Sequence, residues 1–244
     1  MSATTGGPTT VATQSVAQLG GPLSVLARQR ADHEKLDALM ARARETLREG
    51  GAEHARAVRA MARLVFTHAF AEEAVLFPAA RRVLPEGDPL TVRIESDHQE
   101  VDELMTRLDR SSADDPGHAE LLERTIAVLD HDVRSEEDEL LPRLQAELSP
   151  RELRGLGLAW EVVRRISPTR PHPTVSRRPP GQTFSALPLT VLDRARDQLQ
   201  RLDEVTARRF SGRLDTVDQA LAGLAGAVER LPVMQRGERP ETDR

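Results

Sequence analysis

The chain repeats itself, and the repeat carries its most unusual residues. Asp32-His33-Glu34-Lys35-Leu36-Asp37-Ala38-Leu39-Met40 returns as Asp97-His98-Gln99-Glu100-Val101-Asp102-Glu103-Leu104-Met105. Glu72-Glu73-Ala74-Val75-Leu76-Phe77-Pro78 likewise returns as Glu136-Glu137-Asp138-Glu139-Leu140-Leu141-Pro142. Each pair of segments lies on apolar residues recurring at helical spacing, so the unit used twice is a pair of helices. Two such pairs predict an all-α, antiparallel up-down-up-down four-helix bundle with approximate two-fold symmetry.

The first two helices are expected over about 22–48 and 53–83, the third carries the stripe Ile94, Val101, Met105 and Leu108, and the fourth carries the stripe from Leu122 to Leu144 in a bundle ending at about 148. Gly50-Gly51 ends the first, and Asp88-Pro89 and Asp115-Pro116 open the third and fourth as N-cap followed by proline. Ser149-Pro150-Arg151-Glu152 is a capping box for a further helix over 149–166. Six prolines between Ser167 and Pro188 then predict an extended linker over 167–188. Amphipathic helices follow over 189–232, where Leu192, Leu199, Leu221 and Leu224 are the residues expected to be buried. The stripe from Leu214 to Leu231 reads either as a homodimer seam or as a face folded back on the bundle. Residues 1–21 and 233–244 are expected to be disordered.

Composition narrows the chemistry. The 244 residues include no Cys and no Tyr, which excludes disulfides, thiolate metal sites, thiol nucleophiles and phenolic acids. Residues 1–148 carry 17 Lys+Arg against 27 Asp+Glu, and residues 149–244 carry 17 against 12. An acidic front half with almost no aromatic residues argues against a nucleic-acid partner. No apolar run approaches the roughly 20 residues of a membrane span. The start lacks a signal-peptide pattern, so the expected compartment is cytoplasmic.

One histidine falls near the middle of each bundle helix: His33, His68, His98 and His131. His33, His68 and His98 lie on the apolar stripe of their own helix, and Glu72 follows His68 by one turn. Unpaired buried His and Glu cost roughly 1–3 kcal/mol per polar group, and more for a charge. A shared metal removes that cost by using the lone pairs. Imidazole and carboxylate without sulfur suit iron, with manganese or zinc as alternatives, and inward His and Glu at mid-bundle are how di-metal bundles are built. His54, His118 and His172 read as solvated. Glu73, Glu137, Asp138 and Glu139 read as an exposed charged face, with support of the metal ligands from behind as the alternative.

The ordered pattern of His33, His68-x3-Glu72 with Leu76-Phe77-Pro78, His98, then His131 with Glu136-Glu137 and Leu140-Leu141-Pro142 resembles the hemerythrin-like, or HHE cation-binding, domain over residues 22–148. The resemblance implies a non-haem di-iron centre, two iron ions bridged by carboxylates. By it His33 and His68 hold one iron, His98 and a fourth-helix residue hold the other, and Glu72 and Glu136 bridge.

Two positions depart from the pattern. His131 precedes Glu136 by five residues, whereas Asp132 precedes it by four. On a regular helix Asp132 lies about 40° from Glu136 and His131 about 140° away. Either a π-bulge swings His131 onto the site or Asp132 replaces it; the lower cost of burying a neutral imidazole favours His131. Asp102, one turn after His98, stands where oxygen carriers have an extra histidine, and is either a ligand or marks an open position. The expected function is iron binding with O2, NO or peroxide as the small molecule, for sensing, storage or detoxification. The alternatives are an enzyme that decomposes peroxide or reduces NO, and a metal-free helical interaction protein.

Overall fold

A computed structural model describes residues 10–172, 174–178, 181–205 and 211–237. All regular structure among them is helical. Helix α1 is Val25–Leu47, capped by the Ser24 hydroxyl, which accepts from the Leu26 N–H. Helix α2 is built of Gly51–Ala71, a wide π turn Glu72–Leu76, and Phe77–Val83. Helix α3 is Gly87–Asp109. Helix α4 repeats α2: His118–Ser135, a π turn Glu136–Leu140, then Leu141–Glu147. Helix α5 is Pro150–Arg165, with the capping box at Ser149 and Glu152 formed. Helices α6 (Gly181–Val205) and α7 (Ser211–Glu229) pack on one another. Among the described residues no helix is long and apolar enough to cross a membrane.

The two π turns have one cause. Pro78 and Pro142 sit inside their helices, where a proline has no N–H to give and its ring crowds the carbonyl four residues back. The helix widens instead. Phe77 N–H reaches Glu72 and Leu141 N–H reaches Glu136, each five residues back. A π-bulge in α4 was one of the two expected geometries, but it follows Glu136 rather than separating it from His131. The extra residue turns both members of Glu72-Glu73 inward, and Glu136 with them.

The wide turn also explains the N-terminal segment, expected to be disordered up to residue 21. With Leu141 N–H turned to Glu136 and no N–H at Pro142, the Glu137 carbonyl loses its usual donors. Val11 N–H (3.0 Å) and the Thr10 hydroxyl (3.2 Å) meet it instead. Val11 and Leu19 are wholly buried. The expectation is thereby corrected for residues 10–21; residues 1–9 and 238–244 lie outside the described residues.

Two apolar clusters fill the bundle. One gathers Val25, Leu26, Leu76, Phe77, Leu140 and Trp160. The other gathers Leu36, Met40, Met61, Met105, Leu122 and Ile126. The inward His and Glu residues fall between these clusters in sequence on every bundle helix, so a polar layer is sealed on both sides. Helix α5 closes the first cluster by approaching the start of α1 at Gly157, where an added Cβ would lie 2.1 Å from the Leu23 carbonyl oxygen. Gly157→Ala is therefore expected to cost about 1–3 kcal/mol through overpacking, read as a lower denaturation midpoint.

The proline-rich segment is packed down rather than free. Ser167, Thr169, Arg170, Ser176 and Arg177 are buried. Asp193 on α6 accepts from the backbone N–H groups of Thr169 (2.8 Å) and Arg170 (3.0 Å). Helix α6 already begins at Gly181 and carries Pro188 inside it; the carbonyl that Pro188 cannot meet, at Phe184, belongs to an exposed residue. Leu192, Leu199 and Leu221 are half-buried and Leu224 is 55% exposed. Leu189, Ala225 and Met234 are buried instead. The Asp-Pro pairs do not cap as expected either. Asp88 lies in the first turn of α3, and Asp115 closes a turn before Gly117, whose φ of 85° precedes α4.

His54 and His118, read as solvated, are 2% and 3% exposed. They occupy matching places at the starts of α2 and α4, and their Nε2 atoms lie 2.8 Å apart, one donating to the other. Thr46 and Ser111 hydroxyls hold their Nδ1 atoms at 3.3 and 2.7 Å. Burial pushes both imidazole pKa values down, and the neighbouring imidazole adds to this at His54. Above about pH 6.5 both states are neutral and the pair costs nothing. As pH falls below that value the unfolded chain takes up protons that the folded chain refuses, so stability is lost by up to about 1.4 kcal/mol per pH unit and proton. Urea unfolding at pH 7.5 and 5, compared between the wild type and a variant lacking the pair, isolates this loss from the opposite contribution of histidines whose pKa is raised. A His54→Gln/His118→Gln double variant should lose less on acidification.

Candidate metal centre

The structure brings His33, His68, Glu72, His98, Asp132 and Glu136 together in the polar layer. Glu136 is central. Its Oε2 lies 3.1 Å from His33 Nε2 and 3.9 Å from His68 Nε2, and its Oε1 lies 3.9 Å from His98 Nε2. Glu72 reaches His68 Nε2 with one oxygen and His98 Nε2 with the other, both at 3.5 Å. Asp132 Oδ2 is 3.6 Å from His98 Nε2. Two triplets present ligand atoms within 4.8 Å of one another: His33, His68 and Glu136, and Glu72, His98 and Glu136.

The imidazoles are aimed by carboxylates on their other nitrogen. His33 Nδ1 is held by Glu137 and His98 Nδ1 by Glu73, each at 2.8 Å. His68 Nδ1 faces Asp32 at 3.4 Å, and Arg164 holds that carboxylate at 3.1 Å. Every Nε2 is thereby turned to the centre, the arrangement by which outer-shell carboxylates orient metal-binding histidines. Trp160 meets His68 edge-on at 5.6 Å, and Phe77 stacks on His98 at 5.7 Å. Glu73 and Glu137 correct the reading of an exposed charged face: Glu73 is only 4% exposed. The signal lies in Phe77-Pro78 and Leu141-Pro142, since a helix widened there turns the residue after Glu72 and after Glu136 inward.

His131 is not brought to the site. Its side chain is 66% exposed, 3.8 Å from Asp97. The expectation is corrected to helical phase: α4 runs regularly from residue 132 to 136, so Asp132 takes the inward place. In the repeat Asp132 stands where α2 has His68. The lower cost of a neutral imidazole did not decide the position, because the cluster already supplies three imidazoles to face an added carboxylate.

The polar atoms left over test whether a cation fits. His33 Nε2, His68 Nε2, His98 Nε2, Glu72 Oε2, Asp132 Oδ1 and Glu136 Oε2 are all buried without a hydrogen-bond partner. Six such atoms in one cluster are a costly state for an apolar bundle, and they are the imidazole and carboxylate donors that divalent metals take.

A family profile described as the hemerythrin HHE cation-binding domain matches residues 24–144. The bundle is a hemerythrin HHE cation-binding domain. An uncharacterized hemerythrin-like protein of Schizosaccharomyces pombe is 25% identical over 135 residues, covering 55% of this chain. The match spans 66% of that relative, just under two thirds of its length. No solved structure matches the chain.

The electrostatics of the HHE domain are those of a cluster that calls for positive charge. Burial would raise the Glu136 carboxyl, yet contacts from His33, His68 and His98 hold it well below the usual carboxylate range. Burial pushes Asp132 well up, and Glu136 and Glu72 add to this against the pull of His98. His33 is pushed up to about 9: burial opposes the proton, but Glu136 and Glu137 outweigh it.

Residues beyond the HHE domain complete its surroundings. Arg177 enters from the proline-rich segment and is buried against Glu73 (3.0 Å), Gln99 (2.9 Å) and Asp102. Asp102, offered from sequence as a ligand or an open position, is thus occupied by a guanidinium. Gln182 adds a contact to Glu73 at 3.3 Å. A cavity of about 80 Å³ is lined jointly by the bundle and this segment. His33, His98, Glu136 and Arg177 line it, with Leu36 and Val65 among its apolar walls. No periodicity in the sequence marked Arg177.

Proposed function

We propose that the HHE domain holds a di-iron centre that binds O2, NO or peroxide in the adjoining cavity. What carries the reading is the convergence of six buried, unpartnered imidazole and carboxylate atoms. His33, His68 and Glu136 would hold one ion, and His98, Asp132, Glu72 and Glu136 the other. Iron so held supplies redox and Lewis-acid chemistry at a site where a small molecule can reach it. The chain's own residues do the rest. Glu137, Glu73 and Asp32 orient the imidazoles, and the two apolar clusters restrict water.

Asp132 in place of a histidine favours detoxification over reversible carriage. A carboxylate is a harder donor than imidazole, which favours ferric iron and disfavours release of O2. The test is metal content of protein purified from cells without chelators, followed by ultraviolet–visible spectra after adding O2, NO or peroxide to the reduced form. About two iron ions per chain and a ligand-dependent spectrum are expected; a chain that takes up no metal would overturn the reading. Gas evolution from peroxide separates the enzyme from the binding protein.

In the same centre, Asp132→Ala is expected to lose one of the two ions and His131→Ala to keep both, measured as metal per chain after dialysis. Self-association through α7 is the accompanying partner proposal, supported by exposed Val217 and Leu224 and checked by sedimentation velocity.

A further inference from the structure

The centre has two halves related by the repeat, and an arginine from outside the HHE domain reaches each: Arg164 on Asp32 behind His68, and Arg177 on Glu73 behind His98. Glu73 holds His98 Nδ1 just as Glu137 holds His33 Nδ1. Glu73 Oε1 also receives Arg177 Nη1 at 3.0 Å, while its Oε2 receives Gln182 Nε2 at 3.3 Å. Among the described residues Glu137 pairs with His33 and with no arginine. Arg177 is spread over three acceptors on two helices, Glu73 of α2 and Gln99 and Asp102 of α3, with its side chain 7% exposed.

We infer that Arg177 is a positioning residue for the His98 half of the centre, acting through Glu73. The proposal rests on the di-metal reading above. Two buried carboxylates, Glu73 and Asp102, stand beside His98, and the guanidinium both balances their charge and fixes where the Glu73 oxygen sits. A guanidinium fork can meet several acceptors at set angles, which an ammonium cannot. With Glu73 fixed, the His98 ring is fixed, and its Nε2 stays directed at Glu72, Asp132 and Glu136. Without Arg177 the two carboxylates repel one another, Glu73 shifts, and His98 loses its orientation. The His33 half keeps its own carboxylate and is untouched.

The same contact links metal binding to docking of residues 174–178 on the bundle. If Arg177 strengthens metal binding, metal binding strengthens docking of the arginine by the same factor.

The test titrates metal-free, full-length protein with Co(II) under argon, following absorption and ions bound per chain. The wild type is expected to take two ions. Arg177→Leu is expected to keep one at wild-type affinity and to bind the other about 10–100-fold more weakly, the usual loss with an outer-shell partner. Arg177→Leu/Asp102→Leu removes both charges together, so it guards against failure of the single variant to fold; it is expected to weaken the same ion selectively but by less, because Glu73 loses its anchor while the repulsion from Asp102 is gone. Co(II) should also slow proteinase K cleavage within 167–178, where bonds such as Val175–Ser176 are present in both proteins, more in the wild type than in Arg177→Leu. Two ions bound with unchanged affinities in both variants, or two affinities that fall together, would overturn the inference while leaving the di-metal reading intact. A wild-type chain that binds no Co(II) would overturn both.

Discussion

Replacing Glu136 with glutamine is expected to empty both halves of the centre. Glu136 is the one side chain common to the two ligand triplets, and its oxygens face His33, His68 and His98. An amide of the same shape offers one weak oxygen donor and no charge against two dications. The loss should exceed the roughly 100-fold that removal of an outer-shell partner costs. Metal per chain after dialysis against a mild chelator measures it. Glu72→Gln makes the contrast, because the His33, His68 and Glu136 triplet does not include Glu72. That variant should retain about one ion where Glu136→Gln retains none. Equal retention by the two would show that Glu136 has no central role.

Asp193→Ala is the second large effect, and it acts on the extension rather than on the centre. Asp193 is wholly buried and accepts from Thr169 N–H, Arg170 N–H and His172 Nε2. His172, expected from the sequence to be solvated, is half-buried with its ring held between Asp193 (3.1 Å) and Glu229 (2.9 Å). Burial opposes its proton, but the two carboxylates push its pKa up to about 9. Removing Asp193 leaves an undercompensated cation and two buried backbone donors without acceptors. The cost should be about 3–5 kcal/mol, enough to release residues 167–178 as a protease-sensitive segment. The pH dependence has a definite sign. Below about pH 6.5 His172 is protonated folded or unfolded, and the pair contributes fully. As pH rises through about 9 the folded state loses the proton and the contribution vanishes. Thermal unfolding at pH 6 and pH 10 should therefore show a smaller difference between wild type and Asp193→Ala at the higher pH.

The opposite signs expected at the two histidine sites follow from partners alone. His54 and His118 are buried against one another and hydroxyls, so burial expels the proton; His172 is held between carboxylates, so they retain it.

The helical repeat, the four-helix bundle and the inward places of His33, His68, Glu72, His98 and Glu136 follow from residue pattern alone. Helical periodicity is a local property, and a duplicated helix pair states its own symmetry. Helical phase favours Asp132 where the cost of burying a carboxylate favours His131, and phase prevails. The two proline-containing repeats held the cause of the π turns, but the consequence is a change of phase that spacing rules for a regular helix do not carry. On a regular helix Glu73 and Glu137 fall on the surface. Tertiary structure alone decided the rest. Whether residues 10–21 and the proline-rich segment pack or hang free depends on acceptors far along the chain: the Glu137 carbonyl for one, Asp193 for the other. Arg177 meets Glu73 and Asp102 across 104 and 75 residues, and nothing in the local sequence around either end announces the partner. Local pattern fixes which way a helix faces; what covers that face is set by pairings that only the folded chain brings into reach.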